Sequence, residues 1–191
     1  NASFDFNIDK SLYDPKHYEY YFQDGFLGSI GKRASLAVAT PESISFIFPK
    51  FETDLTIRIP SRKLDKCGDF QITYKYNEKL REYAMQEKNV YDSSLYSLYS
   101  WGDDAVVFMH NNQLKSPKKI LIIRDSFNCV VAPFLILGIK DLITLDLRSF
   151  TGSIRSFVDQ NVPDIVLVFY YPNIISDLIE NNPQRSFFDF R

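Results

Sequence analysis

Ser126 is the residue of this sequence best placed to do chemistry. It follows Asp125 where an apolar run, Ile120 to Ile123, ends abruptly. A β-branched run of this kind, bounded by polar residues, is typical of a fully buried parallel strand, and ligands bind beyond the carboxyl ends of such strands. A serine in the turn that follows lies beside backbone N–H groups that can stabilise an oxyanion. The pattern predicts a serine nucleophile; the alternative is that Asp125 and Ser126 simply cap the next helix.

Three other polar side chains are expected at the same edge. Arg148 follows the second predicted strand, and its guanidinium could hold a carboxylated sugar or stabilise an oxyanion. The alternative is an ion pair with Asp146 or Asp125. Tyr170 and Asn173 follow the third strand and could donate hydrogen bonds to a substrate.

No metal ion or cofactor is predicted from the remaining motifs. The two cysteines, Cys67 and Cys129, lack metal-ligand spacing. Cys129, at the start of a predicted helix, is either a low-pKa thiol or a small buried packing residue. The segment 25–33 has three glycines at a spacing of three, but it lacks the strand-to-helix context and the Gly-Lys-Ser/Thr ending of a phosphate loop. We expect a tight surface loop there, with positive φ.

Strands and helices alternate after Lys118, which predicts an α/β fold with a three-layer, flavodoxin-like parallel sheet. The segment 1–117 is aromatic-rich and mostly antiparallel β, and we expect it to pack on the half formed by 118–191 as one compact domain. The predicted strands are 43–48, 54–59, 104–109, 119–124, 142–147 and 165–170, and the predicted helices are 127–137, 153–161 and one from 173 to about 180.

Composition narrows the class of partner. A formal net charge of −2 over 191 residues leaves no basic face for nucleic acid or anionic lipid. No apolar run approaches the ~20 residues needed to span a bilayer. The 12 Tyr and 17 Phe either fill the core and strand edges or, in Tyr-rich loops, stack on sugars or on a partner.

The motifs, taken in order, resemble the C-terminal half of the DHHW family of SGNH-hydrolase-like proteins, which are related to the alginate O-acetyltransferases. The resemblance rests on the segments 26–33, 47–53, 122–127, 133–135, 145–148 and 163–168. It implies an SGNH-like fold with Ser126 as nucleophile and Asp125 as its neighbour. It also implies O-acetyl transfer or ester hydrolysis on a cell-envelope polysaccharide, and an extracytoplasmic location. The expected oxyanion donors are the N–H groups at Ser126 and Phe127, with Arg148.

Two departures from the family pattern matter. Arg124 stands where the family element has Gly, and the upstream Asp-His-His-Trp motif that supplies the family's base is absent. The two histidines, His17 and His110, match no family position. We expect strands 104–109 and 119–124 to form a hairpin, which would put His110 about 25 Å from Ser126. His17 stays open as a base.

The chain opens with Asn1-Ala2 and no Met, which is typical of the remnant of a cleaved tag, so we expect a piece of a longer protein. Because the upstream base is missing from this piece, we expect it to be inactive alone. An edge exposed by truncation would favour a homodimer. The rival hypothesis is a non-catalytic carbohydrate-binding or structural module, because fold analogy does not establish activity.

Overall fold

The computed structural model describes residues 8–34, 37–71, 103–115 and 118–171, which form an α/β fold with two sheets. The strands are β1 Tyr18–Phe26, β2 Glu42–Pro49, β3 Leu55–Ile59, β4 Leu64–Gly68, β5 Val106–Asn111, β6 Lys119–Arg124, β7 Asp141–Asp146 and β8 Ile165–Phe169. The helices are α1 Gly28–Ala34, α2 Asn128–Gly138 and α3 Ile154–Asn161. None of the helices in these ranges is long and apolar enough to cross a bilayer.

The main sheet has six strands in the order β4-β3-β5-β7-β6-β8. The strands β7, β6 and β8 are parallel to one another, whereas β5 pairs antiparallel with β7, and β3 lies antiparallel between β5 and β4. The carboxyl ends of β6, β7 and β8 therefore meet at one edge, together with the amino end of β5.

Alternation along the buried strands builds a layer on each face of the sheet. Ile120 and Ile122 of β6 pack with α2 residues such as Ile136, in a core that also receives β1, β2, β3 and β5. Leu121 and Ile123 face the opposite way and pack with Ile154 and neighbouring residues of α3. Because β6 is covered on both faces, nearly every residue in it must be apolar, which explains the continuous run seen in the sequence.

The smaller sheet consists of β1 and β2, which pair antiparallel on the α2 side of the main sheet. Tyr18, Phe46 and Phe48 enter that core, while Tyr20 and Phe22 point outward and are exposed. The β1 and β2 strands thus account for part of the high aromatic content through core packing.

The predicted fold class, an α/β fold with parallel strands and an additional antiparallel β segment, is confirmed, and Ser153 caps α3 by accepting the Ser156 N–H at 3.2 Å. The predicted hairpin between 104–109 and 119–124 is wrong. The β5 strand pairs with β3 and β7 instead, because the short connection carries the chain across β7 rather than back beside β5.

The glycine-rich segment 25–33 also differs from the expected loop. Gly25 and Gly28 do adopt positive φ, at 93° and 65°, but a short helix, α1, begins at Gly28. The predicted helix from residue 173 lies outside the described residues.

The depth of the core around β6 is testable with two in-register neighbours. Ile123 of β6 is fully buried, while its partner Val168 on the edge strand β8 is 50% exposed. We expect Ile123→Ala to lower the free energy of unfolding by about 2–5 kcal/mol through lost transfer energy and a cavity. Val168→Ala should cost less than about 1 kcal/mol, because much of that side chain is already in water. Urea unfolding of both variants checks this, and equal losses would contradict the layering.

Candidate active site

The carboxyl edge of the parallel strands gathers the candidate residues. Arg124 ends β6 and lies in register with Asp146, which ends β7, and with Phe169, which ends β8. The antiparallel β5 starts at this edge, so Asp103 and Asp104 arrive there from the preceding segment. The Asp146 N–H donates to the Ala105 carbonyl at 2.8 Å and fixes that approach.

Arg124 lies at the centre of this edge and is only 2% exposed. Its Nη1 donates to Asp103 Oδ1 at 2.6 Å and to Asp146 Oδ2 at 3.2 Å, and its Nη2 donates to the Asp104 carbonyl at 2.8 Å. A buried guanidinium needs several acceptors to offset its lost hydration. Arg124 is thus a buried cross-link between β6, β7 and the entry to β5.

Arg148 joins the same network from the turn after β7. Its guanidinium donates to Asp146 at 2.5 Å and 3.0 Å and to Asp103 at 3.0 Å. The ion-pair alternative is therefore what the structure shows, with Asp146 and Asp103 as partners. The hydrogen bond to Asp146 is the main cause that raises the pKa of Arg148, and burial opposes it only in part. About a third of the side chain stays exposed, so one part of this guanidinium still faces the rim.

Asp103, like Asp146, accepts hydrogen bonds from both guanidinium groups. Burial acts to raise the pKa of Asp103, but the hydrogen bond from the Cys129 thiol and the charges of Arg148 and Arg124 outweigh it, so the pKa lies below its ordinary value. Cys129 is buried, and its thiol donates to Asp103 at 3.2 Å. Of the two expectations for Cys129, the buried packing residue fits this environment.

Asp125 holds the turn that carries Ser126. Its carboxylate is 1% exposed and accepts the Phe127 N–H at 2.9 Å and the Tyr171 N–H at 2.6 Å. These two bonds tie the end of β6 to the end of β8. The Phe127 N–H, expected as an oxyanion donor, is engaged by Asp125 in this structure.

Ser126 lies in the turn directly before α2 and is partly exposed. Its carbonyl accepts the Cys129 N–H at 3.1 Å, which begins the helical hydrogen-bond pattern. No side-chain cap serves the α2 N-terminus at Phe127. Ser126 therefore stands at the carboxyl edge of the parallel strands, one residue before the N-cap of α2.

Tyr170 lies beside this network, whereas Asn173 falls outside the described residues. Burial is the main cause that raises the pKa of the Tyr170 phenol, and the nearby Asp146 and Asp125 carboxylates raise it further. The phenol is therefore protonated at neutral pH and can act as a hydrogen-bond donor.

Neither histidine of the chain lies near Ser126. His110 Nδ1 is 2.7 Å from Asp141 Oδ1, and Asp141 begins β7 at the opposite edge, about 17 Å along the strand from Asp146. The predicted remoteness of His110 is correct, although it arises from pairing with β7 and not from the hairpin.

His17 lies on the α2 side of the sheet, with its ring edge-on to Phe51 at 6.5 Å. Phe51 in turn contacts Tyr18, which packs on Phe134. Phe134 is eight residues beyond Ser126, about 12 Å along the helix axis. His17 therefore contacts residues that lie away from the turn that carries Ser126.

Sequence reasoning missed Asp103, Asp104 and Asn128. Asp103 precedes the predicted strand 104–109 and Asp104 begins it, and only the antiparallel placement of that strand brings both residues to this edge. Asn128 is 1% exposed at the start of α2, and within the described part of the chain neither polar atom of its amide has a hydrogen-bond partner. A buried amide of this kind calls for an explanation, since its desolvation is not offset.

The Arg124 network predicts a large loss of stability when its cation is removed. Arg124→Met leaves Asp146 buried and short of a counter-charge, and we expect a loss of about 3–5 kcal/mol in the free energy of unfolding. Arg155→Met, on the exposed face of α3, is the matched control and should be nearly neutral. Urea unfolding measures the free energy of unfolding of both variants. An unchanged free energy of unfolding in Arg124→Met would show that the network is not structural.

The Asp103 pKa gives the direction of the pH dependence. A carboxyl whose folded pKa is depressed contributes stability that is present above its unfolded pKa and lost as pH falls through the folded pKa. We expect the wild type to lose stability below about pH 4, and Asp103→Asn to show a shallower acid limb. Thermal melts from neutral to acid pH test this, with Asp159→Asn on α3 as control.

The Asn128 amide, which has no hydrogen-bond partner among the described residues, predicts how replacing this residue changes stability. Asn128→Leu keeps the branched shape and the number of heavy atoms of the side chain and removes a desolvation penalty of about 1–3 kcal/mol, so stability should be unchanged or higher. If the amide serves a substrate, the same variant should lose reactivity at Ser126 while keeping its fold. A clear drop in melting temperature would show that the amide has a structural partner.

No family model matches this chain, and no curated protein matches it. Solved structures do share its fold. Bacillus cereus PatB1 with a sulfonyl adduct matches with a TM-score of 0.55 at 18% identity, over 82% of this chain and 48% of that one. A DHHW family protein from Eubacterium siraeum matches with a TM-score of 0.55 at 17% identity, over 82% of this chain and 48% of that one. A second structure of PatB1 matches with a TM-score of 0.52 at 19% identity, over 84% of this chain and 52% of that one. The chain spans about half the length of these proteins, and its likeness to the PatB1 and DHHW type is one of fold.

Proposed function

We propose that this chain carries the nucleophile of a serine-dependent acyl-transfer enzyme, an O-acetyltransferase or esterase acting on a cell-envelope polysaccharide outside the cytoplasm. The observation that carries the proposal is the position of Ser126. It stands in the turn between β6 and α2, at the carboxyl edge of the parallel strands, and Asp125 holds that turn through two backbone hydrogen bonds.

In this mechanism the Ser126 hydroxyl oxygen attacks the carbonyl carbon of an acyl ester while a base takes its proton. The resulting oxyanion collapses, the bond to the leaving alcohol breaks, and that alcohol receives the proton. The acyl-serine is then attacked by a sugar hydroxyl, which gives transfer, or by water, which gives hydrolysis. Either step regenerates the serine.

Several donors of this chain can stabilise the oxyanion. Because Phe127 N–H is engaged by Asp125, the proposed donors are the Ser126 N–H, the outward part of the Arg148 guanidinium and the protonated Tyr170 phenol. The unmatched Asn128 amide is a further candidate. Asp125 itself is a positioning residue, since both of its carboxylate oxygens accept backbone N–H groups.

The base is proposed to come from outside the described residues. Both histidines of the chain make contacts remote from Ser126. The resemblance to the DHHW family implies an upstream Asp-His pair, and the solved proteins of similar fold are about twice as long as the matched region. The chain alone should therefore react slowly.

The sulfonyl adduct of PatB1 supports this type of chemistry for the fold. The adduct belongs to PatB1, and for the present chain we propose Ser126 as the nucleophilic side chain.

A non-catalytic module is the second candidate function. The Arg124 and Asp125 contacts are fully accounted for as structural cross-links, so the edge could be maintained without chemistry. Covalent reactivity of Ser126 separates the two functions.

The test is labelling with a serine-reactive fluorophosphonate, followed by mass spectrometry of the modified peptide. We expect the full-length parent to be labelled at Ser126, and Ser126→Ala to lose the label because no other nucleophile lies in the turn. Ser156→Ala, on the exposed face of α3, is the matched control and should keep it. A parent protein that is folded but unlabelled would favour the module.

Hydrolysis of p-nitrophenyl acetate by the chain tests the proposal for the base. Turnover should not exceed that of Ser126→Ala. Turnover that disappears in the variant would show that the chain supplies its own base.

A further inference from the structure

An exposed aromatic ring stands directly beside the proposed nucleophile. Phe127 follows Ser126 in the turn and is 48% exposed, although one face of its ring is covered by Tyr171. The two rings are parallel within 8°, with centroids 4.7 Å apart. With one face against Tyr171, the exposed surface of the Phe127 ring belongs to its edge and to the opposite face.

The stacked pair is held by one carboxylate. Asp125 accepts the backbone N–H of Phe127 at 2.9 Å and that of Tyr171 at 2.6 Å. The same residue that fixes the serine turn therefore fixes both rings relative to the serine. A ligand that stacks on Phe127 meets a surface already ordered, so little conformational entropy is lost on binding.

We propose that the open face of Phe127 is a stacking platform for a pyranose ring of the substrate, next to Ser126. This inference rests on the proposed function and specifies how its substrate is held. An acetyl group is too small to cover a phenyl ring, whereas a pyranose presents an apolar C–H face of matching size. Its hydroxyls would lie toward the polar rim, where Arg148 keeps about a third of its side chain exposed.

The platform also bears on the choice between transfer and hydrolysis. A sugar stacked beside the acyl-serine places a hydroxyl within reach of the acyl carbon, and orientation of this kind is a large part of catalysis. Loss of the platform should therefore weaken saccharide binding and transfer more than hydrolysis of a small ester.

The experiment measures binding of two probes, a neutral tetramer of N-acetylglucosamine and an anionic tetramer of a uronic acid, by isothermal titration calorimetry on the whole chain. We expect at least one probe to bind, and Phe127→Ala to weaken it by about three- to tenfold. Phe127→Tyr and Phe127→Trp keep a ring and should stay near wild type. Phe22→Ala removes a 71% exposed ring on β1 and is the matched control, expected to be neutral.

Phe127→Leu guards against a trivial loss of fold, since it keeps an apolar side chain but no planar face. It should weaken binding as Phe127→Ala does while the melting temperature stays near that of the wild type. Absence of binding by the wild type to either probe would overturn the inference, and so would equal affinity of the wild type and a folded Phe127→Ala or Phe127→Leu.

Ser126→Ala separates this inference from the proposed function. It should bind the probes as the wild type does, because the hydroxyl is not part of the platform. Saccharide binding that depends on Phe127, in a parent that fluorophosphonate does not label, would support the platform and reject the catalytic serine. Labelling of Ser126 without saccharide binding that depends on Phe127 would support the catalytic serine and reject the platform.

Discussion

The buried guanidinium of Arg124 is the constraint on which the carboxyl edge depends. A cation with so little exposure is tolerated only when acceptors surround it. It finds them on two other pieces of chain: Asp103 and the Asp104 carbonyl before β5, and Asp146 at the end of β7. Arg148 then bonds to the same two carboxylates and completes a set of two cations and two anions. The strands are thus fixed at the point where their side chains meet the solvent.

The DHHW pattern that the sequence resembles has a glycine at the Arg124 position, and a glycine there would let backbones approach closely. Here a long side chain occupies that position and points inward, away from the solvent. The turn that carries Ser126 is then held in place by the ion pairs of Arg124 and by the hydrogen bonds that Asp125 accepts. Asp125, the neighbour of Ser126, accepts backbone N–H groups with both of its carboxylate oxygens.

The mixed direction of the sheet has a functional consequence. Because β5 is antiparallel to β7, its amino end lies at the carboxyl edge of the parallel strands, and it delivers acidic residues there that a purely parallel sheet would not. Asp104 extends the connection further, since it accepts hydrogen bonds from Ser61 and Arg62 in the turn between β3 and β4. The antiparallel half of the sheet is therefore part of the support for the proposed site.

The sequence by itself determined the type and position of most elements and the place of Ser126. Strands covered on both faces must be apolar throughout, so 119–124 was predicted with the bounds that β6 has, and Ser153 marked the start of α3 because an N-cap is a local hydrogen bond. The order of the strands was decided only by the tertiary structure. A short connection favours a hairpin, but β7 lies between β5 and β6, and which strand pairs with which depends on packing between distant segments. For the same reason the sequence could not place Asp103 beside Arg124, or the ring of Phe127 against Tyr171. Residue type and spacing encode local conformation, whereas a site made from several strand ends exists only once those strands have been brought into register.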